Sequence, residues 1–396
     1  MKAWPVIYLL LAAFWLLAGT ASGERIFFVL FLVQLLILLA ALAINIWAAL
    51  TFTFTQEISA DQTVRGQPVQ LKLNIYNEKP FPFPLMRIKI ASPDIAENKD
   101  LSFNLAADAR LAFDLELGCP HRGSFVVGMT VIDFVDLFGL FRMPFDMRLL
   151  PYYREKRLLV YPRVTPLPGL AVSLTGQINR PGRTGPVDDQ NEPFAAVRDY
   201  RPGDAAKLIH WKASLRQQRL MTRQFDAASE PQILMLLDRQ RPAGKAEQAM
   251  QTIDASCESA VSLARTLLTR GWPVRIVSVG DQPDVQTCSS LSEFHRLHRW
   301  LAQVEFNGTM PFHQLLSAEL TRSHNNQIIL AITHEASAEL LNVLANAQRR
   351  RALLSVLMTG PVAAEPTFAE QVRKIGLPAW FFCAGDDLAD VMRSKR

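Results

Sequence analysis

Ile233-Leu-Met-Leu-Leu-Asp238 decides the fold of the C-terminal half of this 396-residue chain. Five successive apolar residues leave no polar face, as in a strand covered on both sides of a parallel sheet. Helical spacing follows: Ala246, Ala249, Met250, Ile253, Cys257, Ala260, Val261, Ala264, Leu267 and Leu268 share one face. Gly271 ends that helix, and Val274-Arg-Ile-Val-Ser-Val279 reads as the next strand. Helical patterns over 291–304, 312–322, 335–349 and 367–375 then alternate with strands Ile328–Thr333, Leu353–Met358 and Ala379–Phe382. Such alternation predicts an α/β domain over 230–396, a parallel doubly wound sheet with helices on both faces.

Upstream the period changes. Between residues 55 and 165, Val69, Leu71, Leu73 and Ile75 alternate with polar residues, and so do Met86, Ile88 and Ile90. Leu101–Leu105, Leu111–Leu117 and Phe125–Val131 repeat the pattern. A period of two turns one side of each strand to a core, and several such strands predict an all-β, sandwich-like domain. Residues 166–229 form a linker and a signature segment; prolines and glycines from Pro166 to Pro193 interrupt any regular element.

Residues 1–54 read as a membrane hairpin. No charge occurs from Ala3 to Gly23, nor between Arg25 and Glu57. About 20 residues rising about 1.5 Å each cross a hydrocarbon layer of about 30 Å, so two transmembrane helices are expected. Trp4, Tyr8 and Trp47 fall near the expected interfaces. The connector around Gly23, Glu24 and Arg25 is too short for a domain, which puts the N-terminus and the body on one side. Lys2 favours the cytoplasm and Arg25 competes with it. A signal peptide cleaved after the small residues near Ser22 is the alternative for the first stretch. The expected topology is multi-pass, with a cytoplasmic body.

Cys119, Cys257, Cys288 and Cys383 are scattered and form no Cys-x-x-Cys pair, which argues against zinc ribbons and redox motifs. A net charge of +5 without clustering does not point to nucleic acid.

The densest unusual segment runs from Phe194 to Arg216. Arg201-Pro202-Gly203-Asp204 has type II turn chemistry, with Asp204 placed to cap a short helix bearing His210, Trp211 and Lys212. Val197-Arg198, Tyr200, Pro202-Gly203-Asp204, Ile209-His210-Trp211-Lys212, Ser214, Arg216 and Leu220 together resemble the signature of the DUF58 family. His121-Arg122-Gly123, Asp136-Leu137-Phe138-Gly139-Leu140-Phe141 and Val160-Tyr161-Pro162 resemble stretches that precede it in the membrane-anchored long form. Ala205 and Leu215 depart from the usual acidic residue and alanine. The resemblance implies a von Willebrand A-like C-terminal domain. It also implies work with a MoxR-type AAA+ ATPase and a transglutaminase-like membrane protein, in assembling or maturing envelope complexes.

A von Willebrand A metal site uses Asp-x-Ser-x-Ser, a loop threonine and a later aspartate around Mg²⁺. Here Asp238 and Thr309 match, but Gln240 and Pro242 replace the serines, and Thr333-His334-Glu335 stands where the later aspartate belongs. A degenerate site, with no cofactor, is the expectation. Arg239 and Arg241 flank it and are candidates for holding a partner's carboxylate without metal. In the signature, Tyr200, Ile209 and Trp211 are expected as buried anchors, and Arg198, Lys212 and Arg216 as interaction residues. The leading reading is a non-enzymatic, membrane-anchored interaction or scaffold protein. A hydrolase using His210 with Asp199 or Asp204 stays open, as does a metal-dependent adhesion module.

Overall fold

The computed structural model describes residues 4–80, 82–94, 99–136, 142–149, 153–167, 194–200, 209, 211–225, 233–323, 327–361, 366–383, 386 and 388–393. Two compact units emerge: Met1–Arg163 with Arg299–Gln303, and Val164–His298 with Val304–Arg396.

The first unit begins with helices α1 (Trp4–Ser22) and α2 (Arg25–Thr51). Gly23 turns between them at φ +70°, where glycine meets no Cβ penalty. The helices exchange two hydrogen bonds. The Tyr8 hydroxyl donates to the Gln34 carbonyl at 2.8 Å, and Gln34 Nε2 donates to the Tyr8 carbonyl at 2.7 Å. Leu9, Leu10, Phe14, Leu17, Leu32 and Leu36 face outward, exposed. By length and composition α2 can cross a membrane; α1 is apolar but shorter.

Beyond α2 the alternating segments form strands as expected. They are β1 (Thr53–Ile58), β2 (Gln62–Val64), β3 (Val69–Tyr76), β4 (Phe83–Ala91), β5 (Lys99–Leu105), β6 (Arg110–Leu117), β7 (Gly123–Val135), β8 (Arg142–Asp146) and β9 (Lys156–Tyr161). One sheet has the order β1-β3-β6; the other runs β2-β9-β7-β4-β5, with β8 added alongside β7. Leu71, Leu73 and Ile75 of the first and Met86, Ile88, Met129 and Ile132 of the second share one core. Ala48 and Ala49 from the end of α2, with Phe52 just after it, belong to that same core. The apolar helix therefore ends inside the β-domain, not in a free linker.

The second unit opens with a ribbon of β10 (Phe194–Asp199) and β11 (Met221–Phe225), antiparallel, with the short helix α3 (Trp211–Gln217) between them. Its main sheet contains β12 (Ile233–Leu237), β13 (Val274–Val279), β14 (Pro283–Cys288), β15 (Ile328–Thr333), β16 (Leu353–Thr359) and β17 (Ala379–Phe382). The order is β14-β13-β12-β15-β16-β17, a doubly wound arrangement that reverses direction at β12 and β15. Every residue of β12 and β15 is buried, as their unbroken apolar runs require. The expected all-parallel sheet is corrected at one edge. β14 runs antiparallel to β13. Its Pro-Asp-Val-Gln-Thr-Cys sequence has no apolar run because one of its faces meets solvent.

The remaining helices are α4 (Ala246–Leu268), α5 (Phe294–Gln303), α6 (Phe312–Arg322), α7 (Ala338–Arg349), α8 (Pro366–Ile375) and α9 (Leu388–Arg393), with Arg299–Gln303 of α5 belonging to the first unit. The single apolar face predicted for α4 understates its burial, which is continuous from Asp254 to Ala264. Its hydroxyls tolerate this by bonding back one turn. Thr252 donates to the Gln248 carbonyl at 2.9 Å, Ser256 to Thr252 at 2.9 Å and Ser259 to Ala255 at 2.7 Å.

Candidate functional site: the signature ribbon and the sheet's carboxyl edge

The described part of the signature is stitched at Ser214. Its buried hydroxyl accepts from the Met221 N–H at 2.9 Å and ties α3 to the returning strand β11. The Tyr200 N–H donates to the Leu220 carbonyl at 2.9 Å, closing the ribbon from the other side. Arg219 pairs with Asp199 at 3.0 Å; both are exposed, so the pair adds little stability.

With its inner side anchored in this way, α3 turns other residues outward. Trp211 is 62% exposed and Leu215, one turn on, is 79% exposed. Lys212 and Arg216 are exposed beside them. Trp211 is therefore not the buried anchor its sequence suggested. The serine three positions later holds the helix instead, and frees the indole. Tyr200 and Ile209 are half-buried. Arg201, Pro202, Gly203, Asp204 and His210 lie outside the described residues, as does the side chain of Arg198. Of the expected acid–base partners only Asp199 is in view, exposed and paired with Arg219.

The second candidate region lies where the strand order reverses, at the carboxyl ends of β12 and β15, the usual ligand crevice of such a sheet. Asp238 is 2% exposed there. One carboxylate oxygen accepts from the Gln240 N–H at 3.0 Å, the other from the Thr333 hydroxyl at 2.7 Å. His334 Nδ1 stands 3.5 Å from that second oxygen. Below, the Ser256 and Thr359 hydroxyls meet at 2.8 Å, and both residues are buried. Glu335 has other partners. It accepts from the His313 N–H at 3.0 Å, lies 2.7 Å from His313 Nδ1 and receives the Ser337 hydroxyl. Burial pushes the Glu335 carboxyl up, yet the bonds from Ser337 and His313 outweigh it and hold it below its ordinary value. An ionised Glu335 thus sits at the first turn of α6, where the helix dipole favours an anion.

These donors do not fit Mg²⁺. Octahedral coordination needs several hard oxygens around one point. Both Asp238 oxygens already accept protein hydrogen bonds, Gln240 and Pro242 bring no hydroxyl, and an imidazole stands where a second carboxylate would be needed. Thr309 is exposed, although its neighbour Gly308 bridges to Gln240.

The structure also splits the expected arginine pair. Arg239 is held by its own domain: Nε donates to the Glu305 carbonyl at 2.8 Å and Nη2 to Asn307 Oδ1 at 3.4 Å, with Asp284 3.8 Å from Nη1. A Cβ at Gly280 would sit 2.6 Å from that guanidinium, so the glycine makes its berth. Arg239 bolts together the loops after β12, β13 and α5, whereas Arg241 stays exposed. Sequence spacing could not reveal this, because the partners Glu305 and Asn307 lie 66 and 68 residues from Arg239. His313 and Ser337 were likewise invisible as Glu335's partners; the serine three residues before Leu340 signals only its N-cap role, seen here at 3.0 Å.

Among known proteins, the chain is similar to the "Uncharacterized protein YeaD" of Bacillus subtilis (strain 168), 22% identical over 334 residues that span 81% of this chain and 79% of the other. Among solved structures, Spo0M, a sporulation control protein from Bacillus subtilis, covers 32% of this chain and 54% of its own at 12% identity and a TM-score of 0.18. Cwp6 from Clostridium difficile covers 76% and 45% at 10% identity and a TM-score of 0.19. A β-glucosidase, EmGH1 from Erythrobacter marinus, covers 28% and 15% at 11% identity and a TM-score of 0.18. This chain thus spans about half or less of each of those three. The stretch with a family match is residues 196–376, from within the signature ribbon to the end of α8, and the family is the one described as "Protein of unknown function DUF58".

Proposed function

We propose that this chain is a membrane-held interaction protein that serves as a scaffold and does not itself catalyse a reaction. The observation that carries the proposal is the outward face of α3, where Trp211 and Leu215 stand exposed between Lys212 and Arg216. Tryptophan and arginine dominate binding hot spots, and an apolar pair left in water gains free energy once covered. The flanking cations favour an acidic partner surface. From the resemblance, that partner is a MoxR-type AAA+ ATPase, and a transglutaminase-like membrane protein belongs to the same envelope assembly. The α/β unit is read as von Willebrand A-like, a reading supported by its doubly wound strand order.

A photo-crosslinking residue at Leu215 is expected to trap the MoxR-type ATPase in cells, while one at the exposed Leu291 does not. Trp211→Ala with Leu215→Ala is expected to lower co-purification at least about ten-fold, as loss of a hot spot does. Both side chains are exposed, so the melting temperature is expected to hold. ATPase captured equally from Leu291, or equally by the double variant, would sink the reading.

Both α1 and α2 are read as spans of one hairpin in a bacterial inner membrane, with the body in the cytoplasm. Support comes from the reciprocal Tyr8–Gln34 bonds and the outward leucines of both helices. In spheroplasts, Glu24→Cys is expected to react with an impermeant maleimide, and Leu215→Cys only after lysis. Background labelling should be low. Cys119, Cys257 and Cys288 are buried, and burial pushes the thiols of Cys119, Cys288 and Cys383 up. Labelling of Leu215→Cys in intact spheroplasts reverses the orientation.

A further inference from the structure

At the amino ends of β15 and β16, opposite the Asp238 edge, a cavity of about 430 Å³ opens between the last turns of α6 and α7. That volume is within the range of small-molecule sites. Leu320, Ile329, Val343 and Ala347 contribute to its apolar wall, polar side chains such as Thr321 and Asn346 also line it, and Arg350 and Arg351 stand on the exposed side.

Arg351 is there against a local preference. It follows α7 with φ +55°. The Ala352 N–H donates to the Ala347 carbonyl and the Arg351 N–H to the Gln348 carbonyl, each at 3.0 Å, which is the bonding of a Schellman cap. Glycine suits that left-handed position because it has no Cβ. Two other helices of the same unit follow this preference, Gly271 after α4 and Gly376 after α8 taking φ +78° and +82°, while Gln218 after α3 departs from it at φ +53°. Neutralising the helix dipole does not explain Arg351, since Arg349 already stands in the last turn of α7. Non-glycine residues kept in strained conformations cluster at binding sites. What arginine adds at residue 351 is a guanidinium at the cavity.

We propose that this cavity binds a small organic oxyanion, a carboxylate or phosphate carried on a compact apolar group. Arg350 and Arg351 take the oxyanion through charge-assisted, bidentate hydrogen bonds. Leu320, Ile329, Val343 and Ala347 take the apolar group. The site is separate from the α3 face, and its occupancy does not depend on the scaffold reading.

The test uses the full chain in nanodiscs, titrated calorimetrically with phenyl phosphate and with benzoate, and with phenol as the neutral control. At least one anion is expected to bind saturably at one site per chain, with phenol much weaker. The tighter of the two anions identifies the oxyanion. Arg350→Ala with Arg351→Gly is expected to weaken binding about ten-fold or more. Arg351→Gly alone is expected to weaken binding while raising the melting temperature by about 2–4 °C, the shift that relief of the left-handed strain gives. A merely structural arginine would not produce this opposition between affinity and stability. No saturable binding of either anion overturns the proposal, as does phenol binding equally well, or unchanged affinity in Arg351→Gly and the double variant.

Discussion

Phe52→Ala is expected to destabilise the first unit by about 3–5 kcal/mol, the usual cost of truncating a buried aromatic. Phe52 is 2% exposed, and its ring centroid lies 5.8 Å from Phe54, 6.0 Å from Phe134 and 6.4 Å from Phe83. It is the residue directly after α2, so it packs the end of the apolar helix into the sandwich core with Ala48 and Ala49. The cavity left by alanine would sit at that junction. In thermal unfolding, a unit of this size should melt on the order of 10 °C lower. Leu50→Ala, 74% exposed and two residues away, is the control, expected to stay within about 0.5 kcal/mol. A loss near the control's value would mean that the helix only abuts the core. The junction matters for a tethered protein: a helix that ends in the core passes its position to the β-domain rigidly, where a glycine-rich linker would not.

Gly308→Ala is the second large effect expected, at about 3 kcal/mol of the α/β unit, the upper part of the overpacking range. A Cβ there would sit 2.5 Å from the Val279 carbonyl oxygen and 3.1 Å from the Arg239 carbonyl oxygen. Both are backbone atoms and cannot swing aside. Gly308 also donates its N–H to the Arg239 carbonyl at 2.9 Å and bridges to Gln240, so yielding would open the loop that carries Asp238. The midpoint is expected to fall by about 6–12 °C. Gly244→Ala on the same connection is a comparison with no contact tighter than 3.3 Å, to a flexible Gln248 side chain, but its φ of +112° carries its own strain. The unsubstituted chain is therefore the cleaner reference. If Gly308→Ala melts like it, the packing at the switch-point edge is looser than these distances state.

The elements with a strong period were legible before any coordinates. Ile233–Leu237 and Ile328–Thr333 could only be strands covered on both faces, because neither has a polar side to give to water. The alternation at Val69–Ile75 named the inward residues of β3 one by one, and Leu71, Leu73 and Ile75 are all fully buried. β14 escaped because an edge strand meets water, which removes the apolar run that announces a central one. Within the signature, the residue types said "unusual" and the spacing said "turn and helix". Neither said which side of the helix is inside.

Local preferences determined the apolar N-terminal helices, the β-rich middle and the α/β end, since periodicity and chain punctuation act over a few residues and are written in order. Only the tertiary structure decided what individual polar residues do. Arg239 looked like a free claw for a partner until Glu305, Asn307 and Asp284 were brought to it from distant loops. Trp211 looked like an anchor until Ser214 took that place and left the indole in water. Arg350 and Arg351 are neighbours in the chain, but only the fold sets them beside the cavity between α6 and α7. The physical reason is the same in each case: a hydrogen bond or an ion pair depends on distances across the fold, and residue spacing along the chain holds no record of them.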